Sequence, residues 1–131
     1  MVTMTIPDTP DTDSSTVFSQ ACPSRQALEL VASKWALLVI PALAGGPVRN
    51  NELMRKIEGI SQKMLTQTLK ELVRNGLVLR FDRQTVPPHV EYQLSALGES
   101  LSETLIPLDN WAERNHQKLK AARERFDASF N

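Results

Sequence analysis

Residues 59–80 read GISQKMLTQTLKELVRNGLVLR, and they carry a helix with a marked start, a marked stop and two chemically distinct faces. Ser61 is the kind of side chain that caps a helix by accepting a hydrogen bond from a free backbone N–H of the first turn. Leu65, Leu69, Leu72 and Val73 recur at i, i+4, i+7 and i+8, the spacing of a single helical face. Asn75-Gly76 is a stop, because glycine readily takes the left-handed conformation that closes a helix. Wound at about 100° per residue, the leucines turn inward while Lys63, Gln67, Lys70 and Arg74 turn outward, flanked by Gln62 and Thr66. Those outward side chains hydrogen-bond base edges and phosphates. On an isolated helix such a face is ordinarily a solvated surface, so the flanking segments decide the reading.

Upstream, Pro23 suits the first position of a helix that carries Leu28, Leu30 and Val31. Ser33 is a candidate cap for KWALLVIPAL (residues 34–43), which is apolar nearly all round and therefore reads as the centre of the core, with Pro41 shortening or kinking it. AGGP (residues 44–47) stops it, and NNELMRKI (residues 50–57) is a short helix ended by Gly59. Downstream, LVLRFD (residues 77–82) and VEYQL (residues 90–94) read as strands joined by RQTVPPH, a loop too rich in proline to pair. A last helix is predicted over residues 97–121, with Leu101, Leu105, Leu108, Trp111 and Ala112 on one face and a bend at Pro107. The order predicts a mainly α protein with a small β-hairpin: a winged helix-turn-helix DNA-binding domain with extra terminal helices for dimerisation. Residues 1–20 are expected to be a disordered acidic tail, residues 21–121 the winged-helix domain with its dimerisation helix, and residues 122–131 a C-terminal tail.

The 131 residues fit one domain, and the single cysteine excludes a disulfide framework or a cysteine-rich zinc site. No apolar run approaches the roughly 20 residues that span a membrane, and the N-terminus lacks the basic and apolar regions of a signal peptide, so a cytoplasmic protein without a membrane partner is expected. Formal net charge is zero, but residues 49–83 hold eight basic side chains against four acidic ones, a local +4. A polyanion responds to that local field more than to the whole-chain sum.

In the winged-helix reading the N-terminal end of the 59–80 helix enters the major groove of double-stranded DNA, where Ser61, Gln62, Lys63, Thr66, Gln67, Lys70 and Arg74 are the candidate contacts. Arg83 is the candidate wing contact to phosphate or minor groove, with Arg80 and His89 behind it, and Arg49 is placed for phosphate at the start of the third helix. The amphipathic last helix is expected to pack on its twin, using Leu101, Leu105, Leu108, Trp111 and Ala112, extended by Val17 and Phe18 from the N-terminal side; Leu101 and Leu105 are expected also to cap the chain's own core, leaving the distal half, Leu108 to Ala112, for the partner. No catalytic constellation, metal set or cofactor is expected; His89 and His116 are far apart in the chain.

Cys22 leaves more than one reading open. A free cysteine behaves by default as a small buried hydrophobe. At the start of a helix the dipole also favours thiolate, which suits a redox sensor that meets an oxidant, an electrophile or a small thiol. As the only cysteine in the chain, it can form only intermolecular disulfides.

CPSRQALELVASKW (residues 22–35), the 59–80 segment and VPPHVEYQLSALGESL (residues 86–101) resemble the HxlR-type family of winged-helix regulators, relatives of the MarR group. The resemblance covers residues 22–111 and implies a homodimeric bacterial or archaeal transcription factor, a repressor by expectation, on a pseudo-palindromic operator. It also implies sensing of electrophiles, disulfide stress or hypochlorite-like oxidants at the position of Cys22, as in several members. Three departures stand out: the family's Arg-Phe-Asn is Arg49-Asn50-Asn51, which removes an aromatic contact; the glycine before Lys-Trp is Ser33; and a frequent wing arginine is His89. Two alternatives stay open, a ligand-responsive MarR-like regulator without thiol sensing and a winged helix that binds protein.

Overall fold

The computed structural model describes residues 17–130, so the acidic segment up to residue 16 lies outside the described residues. The elements are α1 (Pro23–Val31), α2 (Ala36–Ala42), β1 (Val48–Arg49), α3 (Asn50–Lys56), α4 (Gln62–Arg74), β2 (Val78–Asp82), β3 (Val90–Leu94) and α5 (Ala96–Ser129). The strands form one antiparallel sheet in the order β1-β3-β2.

The core follows the apolar patterns. α2 sits at its centre, burying Ala36, Val39 and Ile40, and α4 inserts Leu65, Leu69 and Leu72. Leu53 and Ile57 from the α3 segment, Val78 and Leu94 from the hairpin, and Leu105 from α5 belong to the same cluster. α2 starts two residues after the expected position; the Ser33 hydroxyl still accepts from the Ala36 N–H at 3.4 Å.

The junction between α4 and the hairpin sets the geometry of the site. Leu77 N–H donates to Leu72 O at 3.0 Å and Gly76 N–H to Val73 O at 3.0 Å, the paired bonds that close a helix through a left-handed residue. Gly76 supplies that residue at φ +76°. Ser95 then ties the start of α5 to the same turn, its hydroxyl donating to Gly76 O at 2.6 Å and accepting from Gly98 N–H at 3.0 Å. Gly98 is a packing requirement: a Cβ there would collide with the backbone carbonyl of Leu77.

The structure corrects four expectations. β1 was not expected: two residues are too few to show a period of two, and the strand exists because Val48 and Arg49 pair with Tyr92 and Glu91. The last helix does not end at residue 121 but runs through Pro107 to Ser129, so the expected C-terminal tail is helical for most of its length. Leu105, expected at a dimer interface, is 4% exposed within the chain's own core, and Leu101 packs partly against that core. Residues 17–20, the end of the expected disordered tail, form a turn that leads into α1, with Cys22 N–H donating to Ser19 O at 3.1 Å.

Candidate nucleic-acid interface

α3, the turn around Gly59 and α4 form a helix-turn-helix whose second helix presents its polar face outward. The Ser61 hydroxyl accepts from Met64 N–H at 3.1 Å. That oxygen therefore fixes where α4 begins, and Ser61 serves as a cap more than as a contact. Lys63, Thr66, Gln67, Lys70 and Arg74 are all exposed. Lys63 and Lys70 form no ion pair and Gln67 no hydrogen bond among the described residues, whereas Arg74 is drawn to Glu71 at 3.1 Å.

Gln62 is held. Its Nε2 donates to Asn50 Oδ1 at 3.1 Å and to Thr66 Oγ1 at 2.9 Å, while its Oε1 accepts from Asn50 Nδ2 at 2.8 Å. An amide has two N–H donors, so Gln62 has spent both and keeps one acceptor site. Asn50 retains the free N–H and acceptor capacity of the pair. The Asn50–Gln62 unit therefore presents one mixed amide edge at the N-terminal end of α4 and ties α3 to α4 across the turn. Asn50 was missed in the sequence reading. Its signal was present as the departure Arg49-Asn50-Asn51, which sets an amide where it forms reciprocal hydrogen bonds with Gln62.

The wing differs from the expectation of free cations. Arg83 Nη2 contacts Glu91 Oε1 at 2.9 Å and His89 Nε2 contacts Glu91 Oε2 at 3.0 Å, so one carboxylate holds both side chains. Arg83 also lies over the Phe81 ring at 5.8 Å, and its N–H donates to His89 O at 2.9 Å. The Glu91 carboxyl is lowered from its ordinary pKa, first by the His89 hydrogen bond and then by Arg83. Arg49 sits opposite Glu91 in the β1–β3 register, and its N–H donates to Glu52 Oε1 at 3.3 Å at the start of α3. Arg80 pairs in register with Tyr92, on the opposite face of the sheet from Glu91, and makes no ion pair among the described residues. Of the three wing candidates, only Arg80 is uncommitted.

Cys22 lies at the N-cap position of α1. It is 1% exposed yet lies outside the contiguous core cluster. Burial pushes its thiol pKa up, but the N–H groups of Arg25 and Ser24 and the Ser24 hydroxyl outweigh burial, and the net shift is downward. The neutral thiol forms no capping hydrogen bond of its own. Val17 is 36% and Phe18 86% exposed, just upstream. An open groove lies between α1, the end of α4 and α5, lined by Pro23, Ala27, Leu30, Leu77, Leu97 and Leu101. No group of three acidic, histidine or cysteine side chains among the described residues could hold a metal ion, and no described helix is long and apolar enough to cross a membrane.

A helix-turn-helix, a β-hairpin wing and a polar outer face on the second helix together define a winged-helix transcriptional regulator. Residues 30–120 match the model of the HxlR-like helix-turn-helix family, and the chain belongs to that family. It is 44% identical over 108 residues to an uncharacterized HTH-type transcriptional regulator, YtfH, of Escherichia coli (strain K12), covering 82% of this chain and 86% of that one. Among solved structures, the putative transcriptional regulator ytfH from Salmonella typhimurium superposes with a TM-score of 0.78 at 42% identity, covering 83% of this chain and 97% of that one. The redox regulator HypR in its reduced form superposes with a TM-score of 0.70 at 33% identity, covering 76% of this chain and 98% of that one.

Proposed function

We propose that this regulator acts in the cytoplasm as a homodimeric repressor on a pseudo-palindromic operator, with α4 in the major groove and Cys22 as an oxidation-sensitive control. The observation that carries the reading is the outer face of α4: Lys63, Gln67 and Lys70 are exposed and without partners among the described residues, beside an Asn50–Gln62 amide pair that holds its N-terminal end. Gln67 suits bidentate pairing with adenine, and the lysines suit guanine or phosphate. Arg80 and Arg49 supply phosphate contacts, which set affinity and register and leave sequence choice to α4.

The lowered thiol of Cys22 supports the control reading, as does the similarity to a redox regulator solved in both reduced and oxidized forms. Oxidation to a sulfenic acid and condensation with a second thiol, with loss of water, gives a disulfide. With one cysteine per chain, the second thiol belongs to another copy or to a small thiol. Selection from random duplexes tests the whole reading. Reduced protein is expected to enrich inverted half-sites about 10–10.5 base pairs apart, centre to centre. Failure to enrich any sequence, with salt-insensitive binding, would indicate a protein-binding module instead.

A further inference from the structure

One face of the sheet gathers charge at its wing end. β3 places Glu91 there, and the cross-strand partners of Glu91 are Phe81 on β2 and Arg49 on β1. Residues two apart on a strand share a face, so Arg83 and His89 continue it one step beyond the paired strands, where Arg83 N–H donates to His89 O at 2.9 Å. Glu91 Oε1 lies 2.9 Å from Arg83 Nη2, and Glu91 Oε2 lies 3.0 Å from His89 Nε2. An ionised carboxylate only accepts, so Nε2 carries the hydrogen of that bond and Nδ1 is left to take up a proton. The side chains of Arg83, His89 and Glu91 are 55%, 33% and 21% exposed, so water reaches all three.

Few other charges face the imidazole. From β1 comes Arg49, which lies across from Glu91 yet forms no ion pair among the described residues. α3 brings Glu52 and Arg55 to a cleft also lined by Pro88 and Val90, the chain neighbours of His89. Arg80, Asp82 and Tyr92 lie on the opposite face of the sheet. Within the trio, two charges are fixed. Arginine stays protonated, and Glu91, held below its ordinary pKa, stays ionised near pH 7. Imidazole is the side-chain group that ordinarily changes charge between pH 5 and 8. With a neutral imidazole the trio sums to zero; with an imidazolium it sums to +1. The imidazolium bond to Glu91 is then charge-assisted and competes with the one from Arg83.

We propose that the wing is a proton-linked DNA contact: a proton taken from solvent onto His89 Nδ1 draws Glu91 toward His89 and releases Arg83 to a backbone phosphate, so that the protein grips DNA more tightly as pH falls. The proton is the ligand, and His89 is a positioning residue that acts on Arg83 through Glu91. This rests on the DNA-binding reading above and adds a control to it that does not involve Cys22. Linkage is reciprocal, so DNA, a polyanion, draws the same proton onto the wing.

The test uses the full chain carrying His116→Gln, which leaves His89 as its one histidine. Binding to a random duplex is measured at pH 6 and pH 8 over a range of salt concentrations. Near 0.1 M salt the affinity is expected to be roughly fivefold higher at pH 6, with the slope of log K against log salt steeper by about 0.9 for each added phosphate contact. His89→Gln, whose amide can still donate to Glu91, is expected to bind equally at both pH values with the shallower slope. Glu91→Gln is expected to show at pH 8 the steep slope that its parent reaches only at pH 6, a gain that no unfolded variant could give. Arg83→Gln is expected to lose the slope change. Calorimetry at pH 7 in buffers of different ionisation heat is expected to read proton uptake on binding by the parent and none by His89→Gln. Equal parent affinity at both pH values, a pH effect that survives His89→Gln, or a slope change that survives Arg83→Gln overturns the proposal and leaves the DNA-binding reading intact. Binding that is weak and insensitive to salt at both pH values overturns both.

Discussion

Glu91 decides how much of the wing is available to DNA. It holds Arg83 at 2.9 Å and His89 at 3.0 Å, and the cost of freeing Arg83 would be set against any phosphate contact it makes. Glu91→Gln is therefore expected to strengthen binding to any duplex, with the slope of log K against log salt steeper by about one phosphate contact. A weaker slope in titrations at several salt concentrations would show that Arg83 does not reach the backbone. The same carboxylate gives the fold a pH dependence. Its folded-state pKa is lowered, so its stabilisation is fully present above the ordinary glutamate value and is lost as pH falls through the lower folded value. The gap between wild-type and Glu91→Gln urea midpoints is expected to be present at pH 7 and to close in the acid range. At the other end of the interface, Asn50→Ala frees Gln62. It is expected to change base preference next to Gln62 in a selection experiment while leaving binding to random DNA nearly unchanged.

The helix-turn-helix and the hairpin are joined by local devices, each with a measurable cost. Ser61→Ala removes the cap of α4 and is expected to cost about 0.5–2 kcal/mol in chemical denaturation. Gly76→Ala forces a side chain into the left-handed conformation at φ +76° and is expected to cost about 1–2 kcal/mol. If either variant matched the wild type, the device it removes would not hold the junction. These two were legible in the sequence, because a cap and a glycine stop act within a few residues and leave their mark on the chain. So was the strand VEYQL, and so was the leucine face of α4. The elements that were missed depend on partners distant in sequence. β1 exists only by pairing with β3, and the Asn50–Gln62 pair spans 12 residues. Leu105 shows the same limit: its place on an apolar stripe does not say whether the stripe faces the chain's own core or another molecule.

For the molecule as a whole, the proposed two-fold assembly would set the basic windows of two copies on one duplex. Net charge is zero, with that basic window around α4. Cys22 follows the exposed Val17 and Phe18 in the chain, and its oxidation is expected to link copies or to add a small thiol. Diamide is expected to weaken operator binding by the wild type but not by Cys22→Ser, measured on the same selected duplex. Equal sensitivity of both would leave Cys22 as a packing residue. The reading that α4 recognises sequence is tested most directly by the affinity of Gln67→Ala for the selected operator and for a random duplex at one salt concentration. A loss of about 1–3 kcal/mol on the operator, with little change on random DNA, is the expected result. An equal loss on both duplexes would contradict it.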